Sequence, residues 1–226
     1  MKPSTVSGTQ PPVPPFDSAR PAPAPADERP LILGSTSRYR GELLQRLRIP
    51  FRVAAPDVDE TPRAGEAPAV LATRLALAKA RAVASTSPTA VVIGADQVAD
   101  LEGLPLGKPG NHVRARAQLR QMSGQTVVFQ TAVAVVCIET GFEQSSLAAV
   151  RVKFRELSDD EIENYLQAEQ PYDCAGSAKS EGLGIALLAS IDSDDPTALI
   201  GLPLIRTCSL LRAAGVSLLA GNRIPS

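Results

Sequence analysis

The sequence predicts an α/β (α+β) fold around a mixed β-sheet, and three observations support this class. Short apolar runs typical of buried strands alternate with segments of helical periodicity in the first half of the chain. Two long β-rich runs then follow at residues 126–138 and 146–154, and the connection at residues 139–143 predicts a hairpin. Alternating units favour parallel strands and a hairpin favours antiparallel ones, so we expect a mixed sheet with flanking helices.

The first half of the chain supplies three short strands and three helices. In the helix at residues 37–47, Leu43, Leu44 and Leu47 recur at helical spacing and are predicted to face the core. The Leu-Glu-Gly-Leu sequence at residues 101–104 predicts a hairpin turn. The strands are expected at residues 31–33, 51–54 and 91–93, the last ending at residues 94–96, and the other helices at residues 70–83 and 113–122.

Two further helices are predicted in the second half of the chain. Ser158-Asp-Asp-Glu161 has the spacing of a capping box, so a helix should begin there and continue to about residue 169. Residues 203–214 predict the last helix. No internal repeat is found.

Residues 1–29 are predicted to be a disordered Pro/Ala-rich extension, followed by a single folded domain at residues 30–226. Nine of the 20 prolines lie within residues 1–30, with Ser, Thr and Ala between them. Such a segment buries too little apolar surface to offset the entropy lost on ordering.

Composition excludes several classes of function. The net charge of −1 provides no overall field for nucleic acid or an acidic membrane. Three dispersed cysteines without a C-x-x-C pair argue against zinc and suit a reducing compartment. His112 is the sole histidine and follows Lys-Pro-Gly-Asn at a predicted helix start, where a solvated or capping role is expected. Without a signal-peptide core or an apolar run of membrane-spanning length, the protein is expected to be cytoplasmic.

Two segments follow predicted strands and carry polar groups. The segment Gly34-Ser-Thr-Ser-Arg-Tyr-Arg40 opens a helix, where free N–H groups and the helix dipole attract anions. It either binds phosphate or is an ordinary N-capped helix. Asp96, expected at a strand end, either holds a cation or deprotonates water, or is a turn aspartate that caps its own backbone.

Other charged groups also allow either a functional or a purely structural interpretation. Asp57-Val-Asp-Glu60 could share a magnesium ion or begin the next helix. Lys79 lies within an apolar helix and Lys108 lies in a Leu-Gly-Lys-Pro loop; each either faces an anionic cleft or is solvated. Because the sole histidine is expected to be solvated or capping, acid–base chemistry is expected from carboxylates, lysines or a metal-bound water.

Residues 172–184 (Tyr-Asp-Cys-Ala-Gly-Ser-Ala-Lys-Ser-Glu-Gly-Leu-Gly) have neither strand alternation nor a helical repeat. The segment combines three glycines with Lys179 and Glu181, and glycine lets backbone approach a ligand closely. We expect it to belong to a binding site, with its glycines giving a nucleobase room.

These motifs together resemble the Maf family of nucleotide pyrophosphatases. The resemblance rests on Leu-Gly-Ser-Thr-Ser-x-x-Arg, Asp-Val-Asp-Glu-Thr-Pro, Gly-Ala-Asp-Gln-Val, Gly-Lys-Pro and Cys-Ala-Gly-Ser-x-Lys-Ser-Glu-Gly-Leu-Gly, which occur in family order between about residues 31 and 215. It implies one catalytic domain with a two-lobed Maf/ITPase-like fold on a long curved mixed sheet, and an active-site cleft between the lobes. It also implies hydrolysis of a nucleoside triphosphate between the α and β phosphates, with a divalent cation, Mg²⁺ or Mn²⁺.

The resemblance also implies roles for individual residues. Asp96 matches the family's proton acceptor, and Glu60 and Asp96 match positions at the metal. The positions that match the phosphate site are Ser35, Arg40, Lys79 and Lys108.

The segments around Asp96 and Glu181 resemble the branch of the family that acts on 7-methyl-GTP. Its specificity positions correspond to Tyr39, Gln97 and Glu181. A carboxylate can accept hydrogen bonds from both N1–H and N2–H₂ of guanine, whereas uracil and thymine offer one ring N–H. Methylation at N7 makes the base cationic, which favours an aromatic face. Where many members carry a second arginine, this chain has Gly41.

Two alternatives remain open at this point. One is the same reaction on dTTP, UTP or another modified nucleotide; the other is a non-catalytic nucleotide sensor in cell-division control. The expected partner is a nucleoside triphosphate, without nucleic acid or membrane, and a homodimer is left open.

Overall fold

A computed structural model describes residues 29–219, and seven strands in this range form one mixed sheet. The strand order is β2-β1-β3-β5-β6-β7, with β4 beside β3. β1 runs parallel to β2 and β3, and the other pairs are antiparallel. The mixed sheet is therefore confirmed. The strands are β1 (Leu31–Gly34), β2 (Arg52–Ala54), β3 (Val91–Leu101), β4 (Leu104–Leu106), β5 (Thr126–Cys137), β6 (Phe142–Phe154) and β7 (Leu188–Asp192).

Five α-helices lie in the described range, close to the predicted positions. Ser37 and Ser158 cap the helices that they were predicted to open, and Ser158 and Glu161 form the expected capping box. None of the helices in residues 29–219 is long and apolar enough to span a membrane. The helices are α1 (Arg38–Gln45), α2 (Pro68–Thr86), α3 (His112–Met122), α4 (Asp159–Glu169) and α5 (Leu204–Ala213).

The predicted extension lies outside the described residues except for Arg29. The Nε of Arg29 donates a hydrogen bond to Glu139 at 3.0 Å, just ahead of β1.

β3 is much longer than predicted, and the expected strand end at Asp96 is wrong. The strand continues to Leu101 because it pairs with β5 from Val92 to Asp100 and then turns into β4. Its outer half buries Val98 and Ala99. The polar pair Asp96-Gln97 looked like the end of a buried run, but it lies in the middle of the strand.

Two other strand assignments differ from expectation. β6 begins at Phe142, because its ladder with β5 continues to the pair Cys137–Phe142 around the tight turn at Gly141. β7 was not predicted, since it is a mostly exposed edge strand without an apolar run.

The long strands β3, β5 and β6 connect two lobes with separate cores. At one end, Phe129, Val150 and Phe154 pack against α3 and α4. At the other end, the sheet is covered by α1 and α5 on one face and by α2 on the opposite face. The cleft lies where the two lobes join, and residues from distant parts of the sequence meet there.

Helix α2 lies unusually close to the sheet at Gly94. A Cβ atom at this position would lie 2.2 Å from the carbonyl oxygen of Ala76 and 2.5 Å from the backbone N of Ala80. Both distances are far below van der Waals contact, so only glycine permits this approach. The consequence for the site is that Lys79, on the same turn of α2, is held against β3.

We predict that Gly94→Ala will lower the free energy of unfolding by at least about 2 kcal/mol, because backbone atoms of α2 must move. Denaturant titration measures this change. Gly41→Ala is the matched control: a Cβ there meets nothing within 4 Å, and the residue is helical. The control should be neutral or stabilising by up to about 1 kcal/mol. Equal stability of wild type and Gly94→Ala would contradict the close-packing argument.

Candidate active site

A cleft of about 470 Å³ opens between the start of α1 and the segment that follows α4. It brings together five of the predicted site residues from distant parts of the sequence. The remaining four do not line this cavity and form a deeper cluster beside it, in which Ser35, Lys79 and Asp96 are buried and Glu60 reaches in from an exposed position. The five lining residues are Tyr39, Arg40, Gln97, Lys108 and Glu181.

Arg40 connects the cleft to this deeper cluster. Its guanidinium donates from Nε to the carbonyl oxygen of Gly201 at 2.9 Å and from a terminal nitrogen to Ser35 Oγ at 3.3 Å. Burial lowers the pKa of Arg40, and the negative charges of Asp96 and Glu60 oppose that shift. Gly201 has a φ of +124°, which a glycine adopts without strain. Arg40 is therefore fixed with its charge between the cleft and the carboxylates.

Lys79 holds the two carboxylates of the deeper cluster. Its Nζ lies 2.7 Å from Glu60 Oε1 and 2.7 Å from Asp96 Oδ1. Lys79 and Asp96 are buried, whereas Glu60 is more than half exposed. The structure excludes one of the two interpretations that the sequence allowed for each residue. Lys79 is not a solvated lysine, and Asp96 is not a turn aspartate.

Asp96 is suited to accept a proton. Burial raises its pKa above the usual aspartate value, and the cations Lys79 and Arg40 only partly oppose this shift. Within residues 29–219 no group donates a hydrogen bond to its second oxygen, Oδ2, and that atom is not sealed from solvent. A carboxylate with a raised pKa and one accessible oxygen is a better base than an ordinary aspartate.

The same two carboxylates provide part of the set of ligands that a divalent cation requires. Carboxylate oxygens are ligands that Mg²⁺ and Mn²⁺ accept, and Glu60 and Asp96 converge on one point. Within the described residues no cluster of three or more His, Cys, Asp or Glu side chains is found. Two carboxylates match the way Mg²⁺ is usually held beside phosphates, with the other ligands coming from phosphate and water.

Tyr39, on α1, and Glu181, in the segment after α4, both line the cleft. Glu181 is exposed at the opening of the cleft, but partial desolvation of its carboxyl group raises its pKa above the usual glutamate value. The ring of Tyr39 already has protein cations near it: Arg38 Cζ at 5.1 Å and Lys179 Nζ at 5.9 Å from the ring centroid. A cationic base at Tyr39 would therefore depend on nearby carboxylates to offset these charges.

Two residues of α4, Tyr165 and Glu169, support the segment that carries Glu181. The Tyr165 hydroxyl donates to the carbonyl of Ser177 and accepts from the backbone N–H of Lys179. Glu169 forms an ion pair with Lys179 and accepts from the Leu183 N–H. Sequence reasoning missed both residues, because helical periodicity alone makes Tyr165 a core residue and Glu169 a solvated one.

The glycines of this segment do not line the cleft, so the expectation that they give a base room is wrong. Gly176 has a φ of +67° and packs against Ala99 and Phe129. A Cβ at Gly184 would lie 2.5 Å from the Lys179 carbonyl oxygen. These two glycines are required by the path of the chain and by packing.

Two other polar residues are excluded from nucleophilic roles. Burial raises the pKa of the Cys174 thiol to about 12, so this residue of the cleft is a protonated thiol at neutral pH. The imidazole of His112 lies between the Tyr172 hydroxyl and Glu163, away from the cleft, while Asn111 caps α3.

The fold and the site define a mixed α/β protein with a polar cleft, lined by charges of both signs, beside a cluster in which a buried lysine pairs with two carboxylates. The Maf-like protein family matches residues 30–214, and the chain belongs to this family. Three relatives carry the name 7-methyl-GTP pyrophosphatase. They come from a Polaromonas species (79% identity, covering 85% of this chain and 88% of the relative), Albidiferax ferrireducens (72%, 85% and 96%) and Burkholderia pseudomallei (58%, 83% and 89%).

We predict that Lys79→Met will destabilise the protein by about 3–5 kcal/mol at neutral pH, because Asp96 loses its buried partner. With the ammonium removed, the folded-state pKa of Asp96 rises further above its unfolded value. The variant should therefore regain stability as the pH is lowered toward the carboxyl range and lose it as the pH rises. Denaturant titrations at several pH values measure this.

Arg81→Met is the control on the same helix, since Arg81 pairs with Glu143 at the surface. Its cost should stay within about 1 kcal/mol. If both variants lose the same small amount, Lys79 is not the buried partner that Asp96 requires.

Proposed function

We propose that the protein is a nucleoside triphosphate pyrophosphatase that hydrolyses 7-methyl-GTP to 7-methyl-GMP and pyrophosphate and so removes a modified nucleotide. The observation that carries this proposal is the position of Arg40, which links a cleft lined by Glu181 and Gln97 to the proton acceptor Asp96. The names of the highly similar relatives agree with it.

In this proposal the triphosphate binds along the start of α1. Backbone N–H groups at a helix N-terminus attract anions, and Thr36 and Ser37 line the cleft there. Ser35 and Arg40 bind phosphate from one side and Lys108 from the other. Lys79 acts through Asp96 and Glu60, because its ammonium is already engaged with both carboxylates.

The reaction proceeds by attack of water on the α-phosphorus. Asp96 accepts the proton through its solvent-accessible oxygen, the bond from the α-phosphorus to the bridging oxygen breaks, and pyrophosphate leaves. Lys79 keeps Asp96 ionised before the attack and balances its charge.

The charge balance favours a divalent cation as cofactor. Glu60 and Asp96 together with Lys79 and Arg40 make two negative and two positive groups, so the cluster is neutral. Among residues 29–219, the cations outside this cluster that line the cleft are Arg38 and Lys108, too few to balance a triphosphate. Mg²⁺ or Mn²⁺ at Glu60 and Asp96 would supply Lewis-acid stabilisation of phosphate oxygens.

The base is read at the opposite end of the cleft. Glu181 accepts hydrogen bonds from the N1–H and N2–H₂ edge of guanine, and its charge favours the cationic methylated ring. Tyr39 provides an aromatic surface and Gln97 a further polar contact. The enzyme would act in the cytoplasm on a free nucleotide, without nucleic acid or membrane as a partner, and a homodimer is the assembly to test by light scattering.

We predict that purified protein with Mg²⁺ or Mn²⁺ will release pyrophosphate from 7-methyl-GTP with a higher kcat/KM than from GTP, dTTP or UTP. Asp96→Asn should lower kcat by at least about 100-fold, because the proton acceptor and one proposed metal ligand are lost, while nucleotide binding through the contacts to the base and to the other phosphate-binding residues remains. A preference for dTTP or UTP would overturn the substrate assignment. Full turnover in Asp96→Asn would overturn the assigned base, and binding without turnover in the wild type would favour a sensor.

We predict that Glu181→Gln will reduce the preference for 7-methyl-GTP over UTP by about 10-fold, because an amide oxygen replaces a charged acceptor. In the wild type this preference should decline as the pH falls, since protonation removes the acceptor. The raised pKa of Glu181 places that decline at a higher pH than for an ordinary glutamate. Steady-state kinetics on both nucleotides across pH measure this, and an identical pH profile in Glu181→Gln would contradict the role.

A further inference from the structure

Thr131 is a buried polar residue of β5 that lies directly opposite Gln97 on β3. Its hydroxyl donates to the carbonyl oxygen of Ala198 at 3.0 Å. Because the single hydroxyl proton is used there, the oxygen of Thr131 can only accept from Gln97, whose Nε2 lies 3.0 Å away.

The amide nitrogen of Gln97 is surrounded by acceptors. Besides Thr131 Oγ1, the carbonyl oxygens of Ala198 and Leu199 lie 2.9 Å and 3.0 Å from this nitrogen, so its two N–H groups are shared among three acceptors. The reverse orientation would place the amide oxygen against two carbonyl oxygens and a hydroxyl lone pair, with no donor among them. One orientation of the Gln97 amide is therefore strongly preferred.

This orientation leaves the amide oxygen, Oε1, as the free group of Gln97. Among residues 29–219 nothing donates a hydrogen bond to Oε1, and this atom is not sealed from solvent. Gln97 lines the cleft. It therefore presents an acceptor there.

We propose that Thr131 is a positioning residue that, together with the carbonyl oxygens of Ala198 and Leu199, holds Gln97 as a hydrogen-bond acceptor and thereby contributes to base selectivity. This inference rests on the proposed function. A rotating glutamine amide can accept from guanine or, after turning, donate to a carbonyl of uracil or thymine. A fixed acceptor favours the donor edge of guanine and repels those carbonyls. Thr131 thus contributes to selectivity without contacting the nucleotide.

The test compares Thr131→Val, which keeps the shape and removes the hydroxyl, with Thr131→Ser, which keeps the hydroxyl. In Thr131→Val the ratio of kcat/KM for 7-methyl-GTP to that for UTP should fall by about 3-fold, because one of the three acceptors around the Gln97 amide is lost and the two carbonyl oxygens remain. The change should appear in KM, with kcat near the wild-type value. Thr131→Ser should retain the wild-type ratio. An unchanged ratio in Thr131→Val, or an equal loss for all nucleotides, would overturn the proposal.

A double-mutant cycle with Gln97→Leu tests whether Thr131 acts through Gln97. In the Gln97→Leu background, Thr131→Val should have no further effect on selectivity, and a full additional effect would overturn the inference. Should Thr131→Val fail to fold, Thr131→Ala carries the same expectation. Failure of the proposed function is recognised separately as absence of wild-type turnover on every nucleotide. Binding of 7-methyl-GTP and UTP to Asp96→Asn, with and without Thr131→Val, then still reports the selectivity ratio.

Discussion

The close approach of α2 to the sheet is the constraint on which the site depends. Gly94 on β3 leaves no room for a side chain beneath Ala76 and Ala80, and a Cβ at Gly34 on β1 would lie 3.3 Å from the Lys79 carbonyl oxygen. Lys79 is therefore carried on a helix turn pressed against both strands. At this distance its ammonium reaches Asp96 and Glu60 together.

The alternation of side chains along β3 separates the proposed chemistry from base selection. Successive residues of a strand point to opposite faces. Asp96 points towards Lys79 on α2, whereas Gln97 points towards Thr131 and the turn at Ala198–Ile200. Arg40 bonds to Gly201 at the end of that turn and lies near Asp96, so it links the two sides. One strand thus serves both ends of the proposed substrate.

The sequence predicted the fold class, the five helices and most strands, because these elements carry clear apolar periodicity and caps. Sequence reasoning did not predict the segments whose strand structure depends on pairing with a neighbouring strand. The outer half of β3 and the edge strand β7 lack an apolar run, and only the sheet reveals them. The residues around the cleft were found through short polar motifs. Thr131, Tyr165 and Glu169 were missed because each lies in a segment of ordinary strand or helix pattern and acts through contacts with residues distant in sequence.

The ammonium of Lys79 also determines how the protein behaves without a metal ion. Two carboxylates that converge on one point normally repel each other and destabilise the fold until a cation binds. Here a covalently attached cation occupies that point, so the site carries its own counterion. Glu60 and Asp96 therefore do not need a bound metal ion to offset their mutual repulsion in the folded protein. In the proposed enzyme a divalent cation would thus be needed for binding and reaction of the phosphates and not for balancing the charges of the folded protein.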